Sequence, residues 1–135
     1  MKKVPYLDLI ILAFTLVVLV FVAPRALETD APLAVVTSWS MEPTLHVGDL
    51  IVVKGTHEPE IGDVVVYVKP NGELIVHRLI EIRHTLAGVE YITKGDANAW
   101  PDPPVYPNQL KGKVILVVPY IGVLRLFFEK IIQQF

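Results

Sequence analysis

The chain has 135 residues, 53% of them hydrophobic, and a net charge of −2 from 12 basic and 14 acidic residues. That length suits one domain, and an apolar share above that of soluble domains points to a segment in or on lipid. The balanced charge, with no long run of one sign, excludes the electrostatic footprint of a nucleic-acid binder; the absence of cysteine excludes disulfides, thiol nucleophiles and thiolate metal sites.

Lys2 and Lys3 precede an apolar stretch from Leu9 to Ala23 that only Thr15 interrupts. Extended back through Val4, it reaches about 20 residues, enough to cross a hydrocarbon core of roughly 30 Å. Two lysines before the stretch, against a mixed Arg25, Glu28 and Asp30 flank after it, predict a cytoplasmic N-terminus and a remainder on the outer face of the membrane. A removed export signal is the alternative, but Val22-Ala23-Pro24-Arg25-Ala26 is a poor small-x-small cleavage site. A retained single-pass anchor over residues 1–27 is therefore expected.

Beyond a short polar linker the periodicity changes to brief runs rich in Val and Ile, and residues 28–120 read as one β-rich domain. Strands are predicted at Leu33–Thr37, Asp49–Lys54, Asp63–Lys69, Leu74–Arg83, Val89–Thr93 and Lys113–Val118. Lys69-Pro70-Asn71-Gly72 carries the Asn-Gly hairpin signal, and Ala87-Gly88 suits a second hairpin. Short strands at this spacing predict a mainly β fold, a small antiparallel sandwich or barrel. From Gly95 to Gln109 the four prolines 101, 103, 104 and 107 fit neither strand nor helix, which predicts an ordered irregular loop. After Pro119, Ile121, Leu124, Phe128, Ile131 and Phe135 recur at helical spacing opposite Arg125, Glu129 and Gln133. Residues 121–135 are thus expected to form an amphipathic helix, packed on the domain or lying in the membrane interface.

For chemistry, Ser38-Trp39-Ser40-Met41-Glu42-Pro43-Thr44 offers two hydroxyls, and a serine nucleophile needs a base. His46 and His57 fall in loops beside Gly48 and Pro59, and His84 ends a strand pattern. His77 differs, because it lies inside the apolar run from Leu74 to Ile80. A strand histidine is more often structural than catalytic, and no metal-ligand spacing such as His-x-His is present. A histidine base also needs an orienting carboxylate. Asp96 and Asp102 both sit in the Pro-rich loop and either would serve, whereas Asp49 and Asp63 each follow a glycine at a turn.

Taken together, Ser40-Met41-Glu42-Pro43-Thr44, Gly48-Asp49, Gly62-Asp63-Val64-Val65, Val76-His77-Arg78, Lys94-Gly95-Asp96-Ala97-Asn98 and Val118-Pro119-Tyr120-Ile121-Gly122 resemble the type I signal peptidases, in order and over nearly all of the chain after the anchor. His77 stands where the bacterial enzymes carry a lysine base, so the chain resembles the archaeal and endoplasmic-reticulum branch, which pairs serine with histidine and aspartate. The resemblance implies a membrane-bound serine endopeptidase with Ser40 as nucleophile and His77 as general base and acid. It implies Asp102 as orienting carboxylate, six residues after the Gly-Asp aspartate, with Asp96 in support; the exchanged assignment is the alternative. It implies an oxyanion site built from the Ser40 N–H and the Ser38 hydroxyl, although Trp39 replaces the glycine common there. Met41 is a candidate wall of the pockets for small substrate side chains. No cofactor or metal is implied. The expected partners are signal peptides of secretory preproteins, cut after Ala-x-Ala type sites, the lipid bilayer and the protein translocation machinery; nucleic acid is not among them. Self-cleaving repressor-like peptidases share the β architecture but use a lysine base and a DNA-binding domain. An inert membrane-tethered β module would lack Ser40 or His77.

Overall fold

The computed structural model describes residues 6–119; the expected C-terminal helix over 121–135 lies outside them. The chain enters through a continuous helical rod made of α1 (Tyr6–Val17), a π-helical stretch at Val18–Val22 and α2 (Ala23–Ala26). No residue of the rod is buried against the rest of the protein. Its 21 residues, Tyr6–Ala26, average a hydropathy of 2.7, long and apolar enough to cross a membrane. At a rise of roughly 1.5 Å per residue the rod matches a hydrocarbon core. Thr15 takes no partner away from this surface, since its hydroxyl donates back to the Ile11 carbonyl at 2.8 Å.

All six predicted strands form: β1 (Leu33–Val35), β2 (Leu50–Lys54), β3 (Val64–Val68), β4 (Leu74–Thr85), β5 (Gly88–Lys94) and β6 (Leu110–Val118). They join in one antiparallel sheet of order β1-β2-β6-β3-β4-β5. The packed β architecture expected from the sequence is thus built from one hydrogen-bonded sheet with apolar clusters on two faces. One cluster gathers Val36, Met41, Leu45, Ile51, Val53 and Val66; the other gathers Val65, Tyr67, Leu79, Tyr91 and Val105. Neighbours on β3 go to different clusters because successive side chains of a strand point to opposite faces. Both hairpins form where turn chemistry asks for them: Lys69–Glu73 closes with Gly72 at φ 86°, and Thr85 pairs with Gly88 at φ 127°.

The rod is tied to the sheet at one close contact. The Gly55 N–H donates to the Leu27 carbonyl at 2.6 Å, and a Cβ on Gly55 would lie 1.9 Å from the Glu28 carbonyl oxygen. Only glycine admits that approach at the end of β2. On the linker, Lys111 pairs with Asp30 at 2.9 Å and holds its carboxyl below the usual range.

Candidate active site

The site grows from the alternation of β4. Val65 faces His77 across the β3–β4 ladder and Val64 faces Arg78. Val65 belongs to one apolar cluster, whereas Val64 packs against the other. His77 and Arg78, adjacent in sequence, therefore serve opposite faces of the sheet. Each meets one of the two loop aspartates.

On the first face His77 is 7% exposed, and its two ring nitrogens are both engaged. Nδ1 stands 2.5 Å from Asp102 Oδ2, and Nε2 stands 3.0 Å from Ser40 Oγ. A carboxylate only accepts, so in the neutral ring Nδ1 carries the proton and Nε2 accepts from the Ser40 hydroxyl. The same Asp102 Oδ2 accepts a hydrogen bond from Thr93 Oγ1 at 2.7 Å. Tyr67, buried on β3, sets its ring edgewise to the imidazole with centroids 6.5 Å apart.

Asp102 is placed by its backbone. The Pro-rich loop runs beside β5: the Asp102 N–H donates to the Thr93 carbonyl, and Tyr91 and Val105 exchange two bonds, all at 2.8 Å. Pro101 and Pro103 on either side restrict φ, so little conformational freedom remains. Val105, 2% exposed, pins the far end of the loop in the core.

On the other face Arg78 grips Asp96 with Nε to Oδ1 at 2.8 Å and Nη2 to Oδ2 at 2.7 Å. Thr44 Oγ1 donates to Asp96 Oδ2 at 2.6 Å, and Arg78 Nη1 donates to the Gly62 carbonyl at 2.8 Å. These bonds hold the Asp96 carboxyl below its ordinary value, the Arg78 guanidinium first and the Thr44 hydroxyl in support, against a smaller opposing effect of burial. The guanidinium is raised in turn, chiefly by its bond to Asp96. Asp96 thus clamps the turn after Ser40 to β4 and the loop.

The Ser38–Leu45 turn is anchored from below. Met41 and Leu45 are each 1% exposed in the core, and the Leu45 N–H donates to the Met41 carbonyl at 2.9 Å. Met41, expected as a wall of a substrate pocket, lies in the core beneath the turn and does not border the open groove. Burying Met41 holds the neighbouring Ser40 at the surface beside His77. From above, the Ala97 N–H donates to the Ser40 carbonyl at 2.9 Å, and a Cβ on Gly95 would come within 2.6 Å of that oxygen. Ser38 Oγ lies 3.0 Å from Ser40 Oγ, while the Trp39 side chain between them is exposed.

Ser40 and His77 stand in a groove bordered by Leu33–Ser38 on one side and Glu73–His77 on the other. β1 pairs with β2 alone, and residues 74–77 of β4 pair with β3 alone, because β5 begins its pairing at Arg78. Among the described residues, both bordering strands keep an unpaired backbone edge. The walls mix apolar side chains, Leu33, Val35, Leu74 and Ile75 among them, with the polar Thr37, Ser38 and Glu73.

The structure therefore joins Ser40, His77 and Asp102, keeps Ser38 beside Ser40, and sets Asp96 and Met41 into supporting positions. The sequence reading missed Thr93, Thr44 and Tyr67. No spacing distinguishes a threonine that bonds a carboxylate from one that fills a strand, so only the β4–β5 register reveals Thr93. Of the other histidines, His46 contacts Glu42 and Asp49, and His57 and His84 are exposed.

Comparison with known proteins identifies the family. Residues 18–87, about half of the chain, match the family described as Peptidase S24-like. Over 107 residues the chain is 34% identical to the signal peptidase complex catalytic subunit SEC11 of Verticillium alfalfae, covering 70% of this chain and 62% of that protein. Over 103 residues it is 36% identical to the SEC11 subunit of Lodderomyces elongisporus, with 68% and 62% covered. Over 113 residues it is 33% identical to the SEC11C subunit of Homo sapiens, with 75% and 59% covered. The chain spans less than two thirds of the length of these relatives.

Proposed function

Because the chain belongs to the Peptidase S24-like family, we propose that it is a membrane-bound serine endopeptidase that removes signal peptides from preproteins. The observation that carries this reading is the hydrogen-bonded series Ser40–His77–Asp102 set in an open groove with apolar residues in its walls.

Ser40 Oγ attacks the scissile carbonyl carbon as His77 Nε2 takes the hydroxyl proton, and Asp102 stabilises the imidazolium that forms. The oxyanion is met by the Ser40 N–H and by Ser38 Oγ, which lies within reach of the same point. His77 then returns the proton to the departing amine, leaving an acyl-enzyme. A water, deprotonated by the same ring, attacks the ester and frees Ser40 and the new carboxylate. Asp96 supports the site without touching the ring, as the Arg78 and Thr44 clamp.

The groove favours an extended peptide that hydrogen-bonds to the free edges of β1 and β4 while its side chains meet the walls. The expected site is of the Ala-x-Ala type, with small side chains at the first and third positions before the cut. The Tyr6–Ala26 rod holds the groove near the membrane, where a signal peptide emerges. Lys2 and Lys3 favour a cytoplasmic N-terminus and an extracytoplasmic groove. The relatives' names describe subunits of a complex, and partner subunits and the translocation machinery are the interactions this reading predicts.

The test is cleavage of a preprotein carrying an Ala-x-Ala site, with the full chain in detergent–lipid micelles, for wild type and Ser40→Ala. Cutting after the site by the wild type alone supports the reading; equal cutting by both overturns it.

A further inference from the structure

We propose that Thr93 is a positioning residue for Asp102, its hydroxyl fixing the carboxylate oxygen that faces His77. The inference rests on the Ser40–His77–Asp102 reading above and adds a residue to which neither the sequence pattern nor that reading gives a role.

Thr93 is 0% exposed and stands opposite Leu79 in the β4–β5 ladder. It holds Asp102 at two points: its carbonyl accepts the Asp102 N–H at 2.8 Å, and its Oγ1 donates to Asp102 Oδ2 at 2.7 Å. The first contact is available to any residue at position 93. The second needs a hydroxyl. Oδ2 is also the oxygen 2.5 Å from His77 Nδ1, so two donors converge on one atom. A carboxylate oxygen offers two lone-pair directions, and both are then filled. With one direction taken by a buried, strand-borne hydroxyl, rotation of the carboxylate about its own axis leaves that hydroxyl without its acceptor, which costs free energy. The oxygen facing the imidazole is thereby chosen before substrate arrives, the kind of preorganisation that a general base requires.

The surroundings suit this role. Facing His77 and Asp102 are the Tyr67 hydroxyl from β3, the Thr93 hydroxyl from β5 and the Ser40 hydroxyl from the turn. Arg78 and Asp96 neutralise each other on the opposite face of β4. The Tyr67 phenol is pushed up to about 12, chiefly by burial, with the Thr93 hydroxyl opposing and the Asp102 charge adding to the rise. It therefore stays neutral and places no second negative charge beside the carboxylate. The Tyr67 ring packs on the imidazole, its hydroxyl lies close to both Thr93 and Asp102, and Thr93 Oγ1 donates to the same Asp102 oxygen that faces His77.

Three variants of the full chain, measured for preprotein cleavage in micelles beside the wild type and Ser40→Ala, test the inference. Thr93→Val keeps the shape and removes the donor; Thr93→Ser keeps the donor; Thr93→Ala differs from Thr93→Ser by the hydroxyl alone. Thr93→Val and Thr93→Ala are expected to lower kcat about ten-fold with KM within about two-fold of wild type, and Thr93→Ser to stay within about two-fold in both. Circular dichroism and thermal melting establish that each variant is folded. If Thr93→Val does not fold, the Ser and Ala pair decides, because the two share the same missing methyl. Equal kcat for Ser and Ala overturns the inference, as does a raised KM at unchanged kcat, which assigns Thr93 to groove shape. Residual cleavage by Ser40→Ala at the wild-type rate sinks the underlying reading instead, so the two failures are distinct.

Discussion

Asp96 and Asp102 lie six residues apart in one loop, yet they do different work. Asp102 meets the buried edge of a histidine ring and receives a threonine hydroxyl on the same oxygen. Asp96 meets a guanidinium with both oxygens and a threonine hydroxyl from the Ser38–Leu45 turn. The carboxylates are chemically alike; what separates them is which face of β4 each one reaches. His77 and Arg78 are neighbours in sequence and opposites in space, so one strand sorts the loop into a half that meets the imidazole and a half that meets the guanidinium. The lesson is that a loop with two chemically equivalent carboxylates is resolved by the strand it faces, through the period-2 alternation of that strand.

The contrast is broken most forcefully at Asp102. Asp102→Asn is expected to lower kcat by about 10⁴-fold with the fold intact, since an amide at Nδ1 favours the wrong tautomer of the base; single-turnover cleavage checks it. A loss of less than about ten-fold would transfer the orienting role elsewhere.

Gly95→Ala attacks the contact between the loop and the turn that carries Ser40. A Cβ within 2.6 Å of the Ser40 carbonyl oxygen forces one of two backbones to move, because both partners are main chain or closely held. A drop in kcat/KM of roughly 10- to 100-fold is expected. A smaller loss with a large fall in melting temperature would place the damage in folding alone.

Asp96→Asn sharpens the comparison from the other side. At temperatures well below melting, kcat/KM should fall by less than about ten-fold, while stability falls by roughly 1–3 kcal/mol through loss of charge-assisted bonds. The sign with pH follows from the lowered carboxyl. Its contribution to stability is fully present above the unfolded value of 3.8 and is lost as pH falls through the lower folded value. The gap in melting temperature between wild type and Asp96→Asn is therefore expected to be constant from neutral pH to about pH 4 and to close below it. A gap that widens on acidification contradicts the ion-pair account.

Much of this was legible in the residues. All six strands fall within a few residues of where Val and Ile runs between turn residues place them, and both hairpins form at the glycines that allow positive φ. The rod was visible because continuous apolar sequence needs no partner to declare itself; the stretch Leu9–Ala23 read from the residues lies within the helical Tyr6–Ala26. Ser40 and His77 were singled out by motif and by an imidazole set in an apolar strand. Met41, expected at a pocket wall, is buried for a physical reason: a surface turn needs an apolar anchor beneath it, and the residue beside Ser40 fills that place. Thr93 and Thr44 were invisible because their hydroxyls matter only through partners 9 and 52 residues away.

The sequence by itself determined the elements, because hydrophobic period, turn chemistry and apolar length act within a few residues. It also supplied the reacting groups, since a hydroxyl, an imidazole and a carboxylate are properties of residue types. Only the tertiary structure decided which aspartate turns to His77, which threonine holds it, and where the open groove runs. Those depend on strand register and on the order β1-β2-β6-β3-β4-β5, and register is fixed by packing between segments distant in the chain.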